Sequence, residues 1–148
     1  MSQRSIEDFL TASQEQQIID TIRNAERQTS GEIRVHLEHN THDKTIEERT
    51  LEVFQILKMH NTEQHNAVLI YVAVEDKQFA IYGDKGINEV VSDDFWDSTK
   101  SLMTSHFKKD DYANGLIAAI QEAGKQLKAF FPWRFGDRDE LSNEISKG

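Results

Sequence analysis

The stretch Ala67–Val74, AVLIYVAV, is almost wholly apolar and rich in β-branched residues. A run of this length and composition predicts a strand that is buried on both faces at the centre of a sheet. The polar turn Glu75–Lys77 separates it from a second strand-like segment, Gln78–Gly83, with the sequence QFAIYG. A turn this short favours an antiparallel hairpin.

A further strand is predicted upstream, over Glu32–Glu38, where apolar and polar residues alternate strictly. Ile33, Val35 and Leu37 share one face, towards the core, and the polar residues between them lie on the other face. The helix predicted over Thr45–Met59 connects this strand to AVLIYVAV. This order favours a right-handed parallel βαβ unit with the hairpin strand added beside it.

Helical patterns precede and follow these strands. The first is predicted over Thr11–Thr29, with Ser13 and Gln16 spaced as a capping box. Any residue of 92–94 can cap the next helix, and 110–111 begins a last long amphipathic helix. The sequence therefore predicts an α/β fold, a three-layer α/β/α sandwich in which a small mixed sheet has helices on both faces.

Composition restricts the function classes. The chain has 148 residues, with 17 Lys and Arg against 26 Asp and Glu, a net charge of −9, and no cysteine. Disulfides, a thiolate nucleophile and Cys-type zinc sites are excluded, and no basic stripe is present for nucleic acid. Without a signal peptide or a long apolar run, no membrane span is expected in this chain and the expected location is cytoplasmic.

One domain is predicted over 1–148, because no linker-like stretch or repeat interrupts the chain. Its core covers about 6–132. Residues 133–148 form a mostly charged tail, which Leu141 and Ile145 are able to dock.

Five blocks of the sequence, in order, resemble successive blocks of the TPM domain: Thr29–Val35, Met59–Tyr71, Phe79–Ile87, Phe95–Trp96 and Tyr112–Leu116. The resemblance spans about Ile6–Leu141 and implies an α/β/α sandwich. It also implies divalent-cation binding, best associated with calcium, in some members, and acid phosphatase activity in the plant thylakoid branch, whose relatives include photosystem II repair proteins.

The sequence departs from the family pattern in two respects. His65-Asn66-Ala67 stands where bacterial relatives usually have a basic residue, Asn and Gly. The secretion signal and the membrane segment or glycine-rich tail of many relatives are missing, so we expect a stand-alone bacterial TPM domain.

Topology predicts where a cation would bind. The starts of the two parallel strands and the end of the hairpin strand lie at one edge of the sheet, and the loop beyond continues to two further aspartates. The candidate metal ligands are therefore Glu32, Asn66, Asp84, Asp93 and Asp94. Calcium takes roughly six to eight oxygen ligands, so Ca2+ is the expected ion, with Mg2+ as the alternative.

Each candidate also has a purely structural interpretation. Asp93 or Asp94 is equally suited to cap a helix. Asp84 is suited to a turn in which it bonds its own backbone. Glu32 would then be a solvent-facing strand residue and Asn66 a turn residue. Since no EF-hand loop is present, the motif evidence for calcium is weak without the family.

The histidines at 36, 39 and 42 have the spacing of a zinc-binding series on a helix. On a strand, a spacing of three places successive side chains on opposite faces. The sequence therefore predicts that these three rings diverge, which disfavours zinc.

Three functions remain open, and no residue is assigned a catalytic role. The first is a non-catalytic calcium-binding accessory or interaction domain with a possible protein partner. The second is a metal-assisted phosphomonoesterase in which Asp84 and Asp93 or Asp94 hold the ion. The third is a metal-free protein-interaction scaffold. The chain has no phosphate-cradling glycine loop followed by Lys-Ser or Lys-Thr that would favour the second.

Overall fold

A computed structural model describes residues 9–133 and 143–148. In chain order, their helices and strands are α1 (Ala12–Glu26), β1 (Glu32–Glu38), α2 (Ile46–Ile56), β2 (Ala67–Ala73), β3 (Gln78–Gly83), α3 (Lys85–Asn88), α4 (Asp97–Phe107), α5 (Tyr112–Phe130) and β4 (Ser146–Lys147).

The strands form one mixed sheet in the order β3-β2-β1-β4. β1 and β2 are parallel, with Glu32 opposite Ala67 and Glu38 opposite Ala73. β2 and β3 are antiparallel, and Gly83 lies opposite Val68. The predicted βαβ unit and hairpin are therefore confirmed. β4 was not predicted, and it pairs in parallel with the outer edge of β1.

Both faces of β2 are covered, as its composition predicts. Val68, Ile70 and Val72 face the larger apolar cluster, to which α1, α4 and α5 contribute. On the opposite face, Leu69 and Tyr71 join a second cluster with α2. The α/β/α sandwich is therefore confirmed. Because successive side chains of a strand point to opposite faces, a wholly apolar strand such as β2 requires an apolar layer on both faces of the sheet.

Two predicted helix caps are wrong. The capping box of α1 comes from Thr11 and Gln14, whose side chains exchange hydrogen bonds of 3.1 and 2.9 Å with each other's backbone N–H groups. Ser13 lies inside the first turn, because the helix begins one residue after Thr11. α4 begins at Asp97, after an N-cap residue, Trp96, that makes no side-chain cap hydrogen bond.

Residues 92–94 precede α4 as a separate turn. The Phe95 N–H donates to the Ser92 carbonyl at 3.1 Å, and the Asp97 N–H donates to the Asp94 carbonyl at 3.0 Å. Trp96 is buried and contacts Phe95 edge-on, with ring centroids 4.6 Å apart. The start of α4 thus coincides with a buried indole ring and has no side-chain cap.

The second face of the sheet provides a stability test on one helix. Phe54 of α2 is 3% exposed and meets Tyr82 edge-on, whereas Ile56 on the same helix is 61% exposed. Phe54→Ala is expected to lower the free energy of unfolding by about 3–5 kcal/mol, because it leaves a cavity against β2 and β3.

The matched control is Ile56→Ala, which is expected to change the free energy of unfolding by less than about 0.5 kcal/mol. Urea denaturation followed by circular dichroism measures both. Equal losses in the two variants would contradict the packing of α2 on the sheet.

Candidate functional site

Backbone hydrogen bonds gather three of the predicted ligands at one edge of the sheet. The Glu32 N–H donates to the Asn66 carbonyl at 3.3 Å, which ties the starts of β1 and β2 together. The Asp84 N–H donates to the Ala67 carbonyl at 2.9 Å, which ties the end of β3 to the same place. The predicted convergence of Glu32, Asn66 and Asp84 at this edge follows from the observed strand pairing.

All three residues are buried. Glu32 is 2% exposed, Asn66 is 1% exposed and Asp84 is 6% exposed. The interpretation of Glu32 as a solvent-facing strand residue is therefore wrong. Burial of two carboxyl groups and an amide at one edge carries a desolvation cost, so their contacts need to be accounted for one by one.

Asn66 links two neighbouring segments. Its backbone N–H donates to Thr62 Oγ1 at 3.3 Å, and its side-chain Nδ2 donates to Ser30 Oγ at 3.4 Å. Its Oδ1 atom is buried and has no hydrogen-bond partner within 9–133 and 143–148. Asn66 therefore presents an uncompensated acceptor at the sheet edge, beyond the role of a turn residue.

The two carboxylate oxygens of Asp84 differ in their surroundings. Oδ1 accepts a hydrogen bond of 2.8 Å from the Lys85 N–H and caps α3, as the local turn interpretation expects. Oδ2 is buried without a hydrogen-bond partner in the described part of the chain. The imidazole Nδ1 of His65 lies 3.4 Å from this oxygen.

Close backbone contact holds α3 against the segment before β2. The Gly86 N–H donates to the His65 carbonyl at 2.8 Å. A Cβ atom at Gly86 would lie 2.1 Å from the Gln64 carbonyl oxygen and 2.5 Å from that of His65. Only glycine fits here, and its absent side chain allows α3 to lie against the backbone of Gln64 and His65.

Asp93 and Asp94 have different surroundings from the other candidates. Both are exposed in the turn before α4, and Asp94 Oδ1 accepts a local hydrogen bond of 2.5 Å from Ser92 Oγ. Across residues 9–133 and 143–148, no group of three or more His, Cys, Asp or Glu side chains is arranged to hold a metal ion. Any cation at this edge would therefore depend on amide and carbonyl oxygens as well.

A second polar cluster lies at the opposite end of β1, and sequence reasoning missed it. Glu38 is fully buried and receives both Nε and Nη2 of Arg49, at 2.7 and 2.9 Å. The Tyr71 hydroxyl donates to Glu38 Oε2, and His36 Nε2 lies 3.2 Å from Oε1. A tyrosine inside an otherwise apolar buried strand, opposite His36 in register, is the signal that points to this cluster.

The Glu38 cluster stays ionic although it is buried. Burial alone would raise the pKa of Glu38, but hydrogen bonds from Arg49, Tyr71 and His36 outweigh burial and lower this pKa to about 2. Burial lowers the pKa of His36, against the opposing effect of Glu38. A neutral His36 that donates from Nε2 to the carboxylate leaves Nδ1 as an acceptor.

The predicted divergence of the histidines is wrong for two of the three. β1 ends at Glu38, and the following loop turns back through positive φ values at His42 (55°) and Asp43 (62°). His42 Nε2 consequently lies 3.7 Å from Glu38 Oε1, the oxygen that His36 also approaches. The alternation argument applies only within the strand, and His42 lies outside it.

A family model described as the TPM domain matches residues 5–126. The chain belongs to the TPM-domain family. The resemblance of the five sequence blocks is thereby confirmed. No curated protein matches the sequence.

Solved TPM-like structures support the fold. The BA42 protein of the psychrophilic bacterium Bizionia argentinensis is 56% identical, with 97% of this chain and 99% of that chain covered and a TM-score of 0.91. The N-terminal domain of a P. gingivalis protein is 20% identical (85% and 81% covered, TM-score 0.71). The N-terminal domain of cg2496 from Corynebacterium glutamicum is 17% identical (78% and 72% covered, TM-score 0.64). The last two show the fold alone.

No helix within residues 9–133 and 143–148 combines the length and the apolar composition that a bilayer crossing requires.

Gly86→Ala tests the close contact at the site. The added methyl group would collide with two backbone carbonyls, so we expect a loss of about 1–3 kcal/mol in the free energy of unfolding. Gly83→Ala, at the end of β3, is the control, because the nearest neighbours of an added Cβ atom there are side-chain atoms at 3.4 Å. Thermal melting should rank Gly86→Ala clearly below Gly83→Ala, and the reverse order would contradict the packing described.

Glu38→Gln tests the buried ionic cluster. At neutral pH the substitution removes the buried carboxylate that Arg49 binds through Nε and Nη2 and leaves only Glu52 as its carboxylate partner. We expect the free energy of unfolding to fall by about 3 kcal/mol. Because the pKa of Glu38 is depressed from 4.5 to about 2, its contribution is present above about pH 5 and disappears towards pH 2.

The difference between parent and Glu38→Gln should therefore shrink as the pH falls through this window, measured by denaturation at several pH values. Glu47→Gln removes the same charge from the exposed face of α2 and serves as the control. A difference that does not depend on pH would contradict the assigned ionisation.

Proposed function

We propose that this TPM domain binds a divalent cation, calcium foremost and magnesium second, at the edge formed by Glu32, Asn66 and Asp84. The observation that carries the proposal is the pair of buried oxygens without hydrogen-bond donors, Asn66 Oδ1 and Asp84 Oδ2, as judged over the described residues. A buried acceptor left without a partner costs about 1–3 kcal/mol. A bound cation offsets that cost at both atoms.

The chemistry of the edge fits a hard cation. Asp84 offers a carboxylate oxygen, Asn66 an amide oxygen and Glu32 a second carboxyl group, and calcium accepts such mixed oxygen ligands with water completing the shell. No cysteine thiolate competes for a softer metal. A bound ion would join the starts of β1 and β2 to the end of β3, so its main effect would be on local stability.

The proposed role is that of a non-catalytic accessory or interaction domain. Cation binding at a buried edge would stabilise the junction between β3 and α3 at Asp84 and fix the adjacent surface, which suits recognition of a protein partner. The net charge of −9 attracts the cation over roughly 8 Å at physiological salt.

Metal-assisted phosphomonoester hydrolysis is the second candidate, favoured by one observation. His65, with a side chain 40% exposed, lies beside Asp84 at the same edge, where it is able to move a proton. A cation held by Asp84 would supply the activated water. A metal-free scaffold is the third candidate, and the same experiment distinguishes all three.

Calcium titration of the full chain tests the proposal. Calcium at millimolar concentration is expected to raise the melting temperature and to shift the amide signals around Asn66 and Asp84. Asp84→Asn should lose most of this response, because the amide carries no charge. Asp93→Asn is the matched control, since Asp93 is exposed, and it should keep the response.

The other outcomes are equally informative. An unchanged melting temperature and spectrum in the parent would refute cation binding and favour the metal-free scaffold. Turnover of a generic phosphate ester that persists on repurification and is lost in Asp84→Asn would favour the phosphatase over the accessory domain.

A further inference from the structure

Residues 145–148 form a segment that lies along the side of β1 that does not pair with β2. Ser146 and Lys147 pair in parallel with His36 and Leu37. The Gly148 N–H extends the pairing by donating to the Leu37 carbonyl at 2.9 Å. This segment lies at the end of β1 opposite to the Glu32 edge, so its contacts are independent of the proposed cation site.

Three side chains of this segment make separate contacts. Ile145 packs against the larger apolar cluster. Ser146 Oγ lies 2.9 Å from His36 Nδ1, the nitrogen that a neutral His36 leaves as an acceptor. Lys147 Nζ forms an ion pair of 2.8 Å with Glu15 of α1.

Gly148 lies against the Glu38 cluster. A Cβ atom at this position would be 2.7 Å from Glu38 Oε1 and 2.9 Å from His36 Nε2. The Glu38 carboxylate is held by Arg49 and Tyr71 and therefore yields little. The position accepts glycine and disfavours any side chain.

The surface that receives the segment is built from other parts of the chain. Arg49 comes from α2, Tyr71 from β2, and the His36 ring stacks on Tyr71 with centroids 5.9 Å apart and planes 14° apart. None of these contacts uses residues 143–148. The receiving edge is thus held together by contacts that do not involve the segment.

The segment forms a short edge strand. β4 has two residues, its side chains are half-buried, and Gly148 beyond it is exposed. A short strand at the edge of a sheet opens at a lower free-energy cost than the strands of the core. The edge of β1 is therefore available to another strand whenever the segment dissociates.

We propose that the outer edge of β1 at His36–Glu38 is an acceptor site for an extended peptide, which adds in parallel, and that Ile145–Gly148 is its occupant within the chain. The partner it fits is a peptide with an apolar residue, a serine or threonine, a lysine and a glycine in that order. Main-chain pairing provides binding, and the alternate side chains provide selectivity, as in other strand-addition complexes.

The experiment uses the full chain carrying Gly148→Val. The valine is expected to displace the segment, so the amide signals of His36, Leu37 and Glu38 shift while the melting transition stays cooperative. Addition of a free peptide, NEISKG, should then return these signals towards their parental positions. The matched peptide NEISKV, in which valine replaces the glycine, should bind roughly tenfold more weakly or worse.

Three results would overturn the proposal: β1 signals that do not move in Gly148→Val, no saturable response to NEISKG, or equal responses to the two peptides. The Ser146→Ala variant is a second acceptor, in which only the hydroxyl beside His36 is removed from the segment. This variant must also bind NEISKG more tightly than NEISKV. Asp84→Asn must leave the ranking unchanged, which separates this inference from the proposed cation site.

Discussion

The burial of β2 on both faces is the constraint on which the rest of the structure depends. Each of its seven residues is at most 1% exposed. A strand of this kind needs an apolar layer on each side, and α2 supplies one while α1, α4 and α5 contribute to the other. The polar group within β2, the Tyr71 hydroxyl, then requires a buried acceptor, which Glu38 provides and Arg49 neutralises. The ionic cluster is thus a consequence of the central strand.

The two ends of β1 handle buried polarity in different ways. At the Glu38 end, every oxygen of the carboxylate has donors from neighbouring elements, so the charge is retained inside the fold. At the Asn66 and Asp84 end, strand pairing creates a buried edge on which two acceptors within the described residues have no donor. Fully compensated polar groups rigidify a structure, whereas each uncompensated one calls for a partner such as an ordered water or an ion.

The sequence predicted the elements whose signals are local. The apolar run of β2, the alternation of apolar and polar residues in β1, and the four-residue connection between β2 and β3 are each visible within a few residues of sequence. Together they determine where the strands lie and in which direction they run, and the observed strand pairing follows. Convergence of Glu32, Asn66 and Asp84 was also predictable, because it needs only strand order and direction. The α1 cap was ambiguous, since Thr11 and Ser13 are both followed three residues later by glutamine.

What the sequence could not predict depends on partners far along the chain. The polar face of β1 is buried because it contacts Arg49, Tyr71 and residues 143–148. The alternation of polar and apolar residues within β1 does not predict these contacts, since the partners are distant in sequence. The start of α4 coincides with the buried Trp96 ring, which packs near Gly83. The predicted docking of the tail through Ile145 is seen, whereas Leu141 lies outside the described residues.

Attachment of the edge strand to its own domain has a further consequence. A strand linked to its acceptor meets it at an effective concentration of the order of millimolar, whatever the concentration of the protein. A free peptide therefore has to exceed that level, or bind with correspondingly higher affinity, before it replaces Ser146–Gly148 beside β1. The covalent link therefore excludes free strands that bind weakly and are present below this concentration. At lower concentrations, only a strand that binds the edge more tightly than the domain's own segment replaces it.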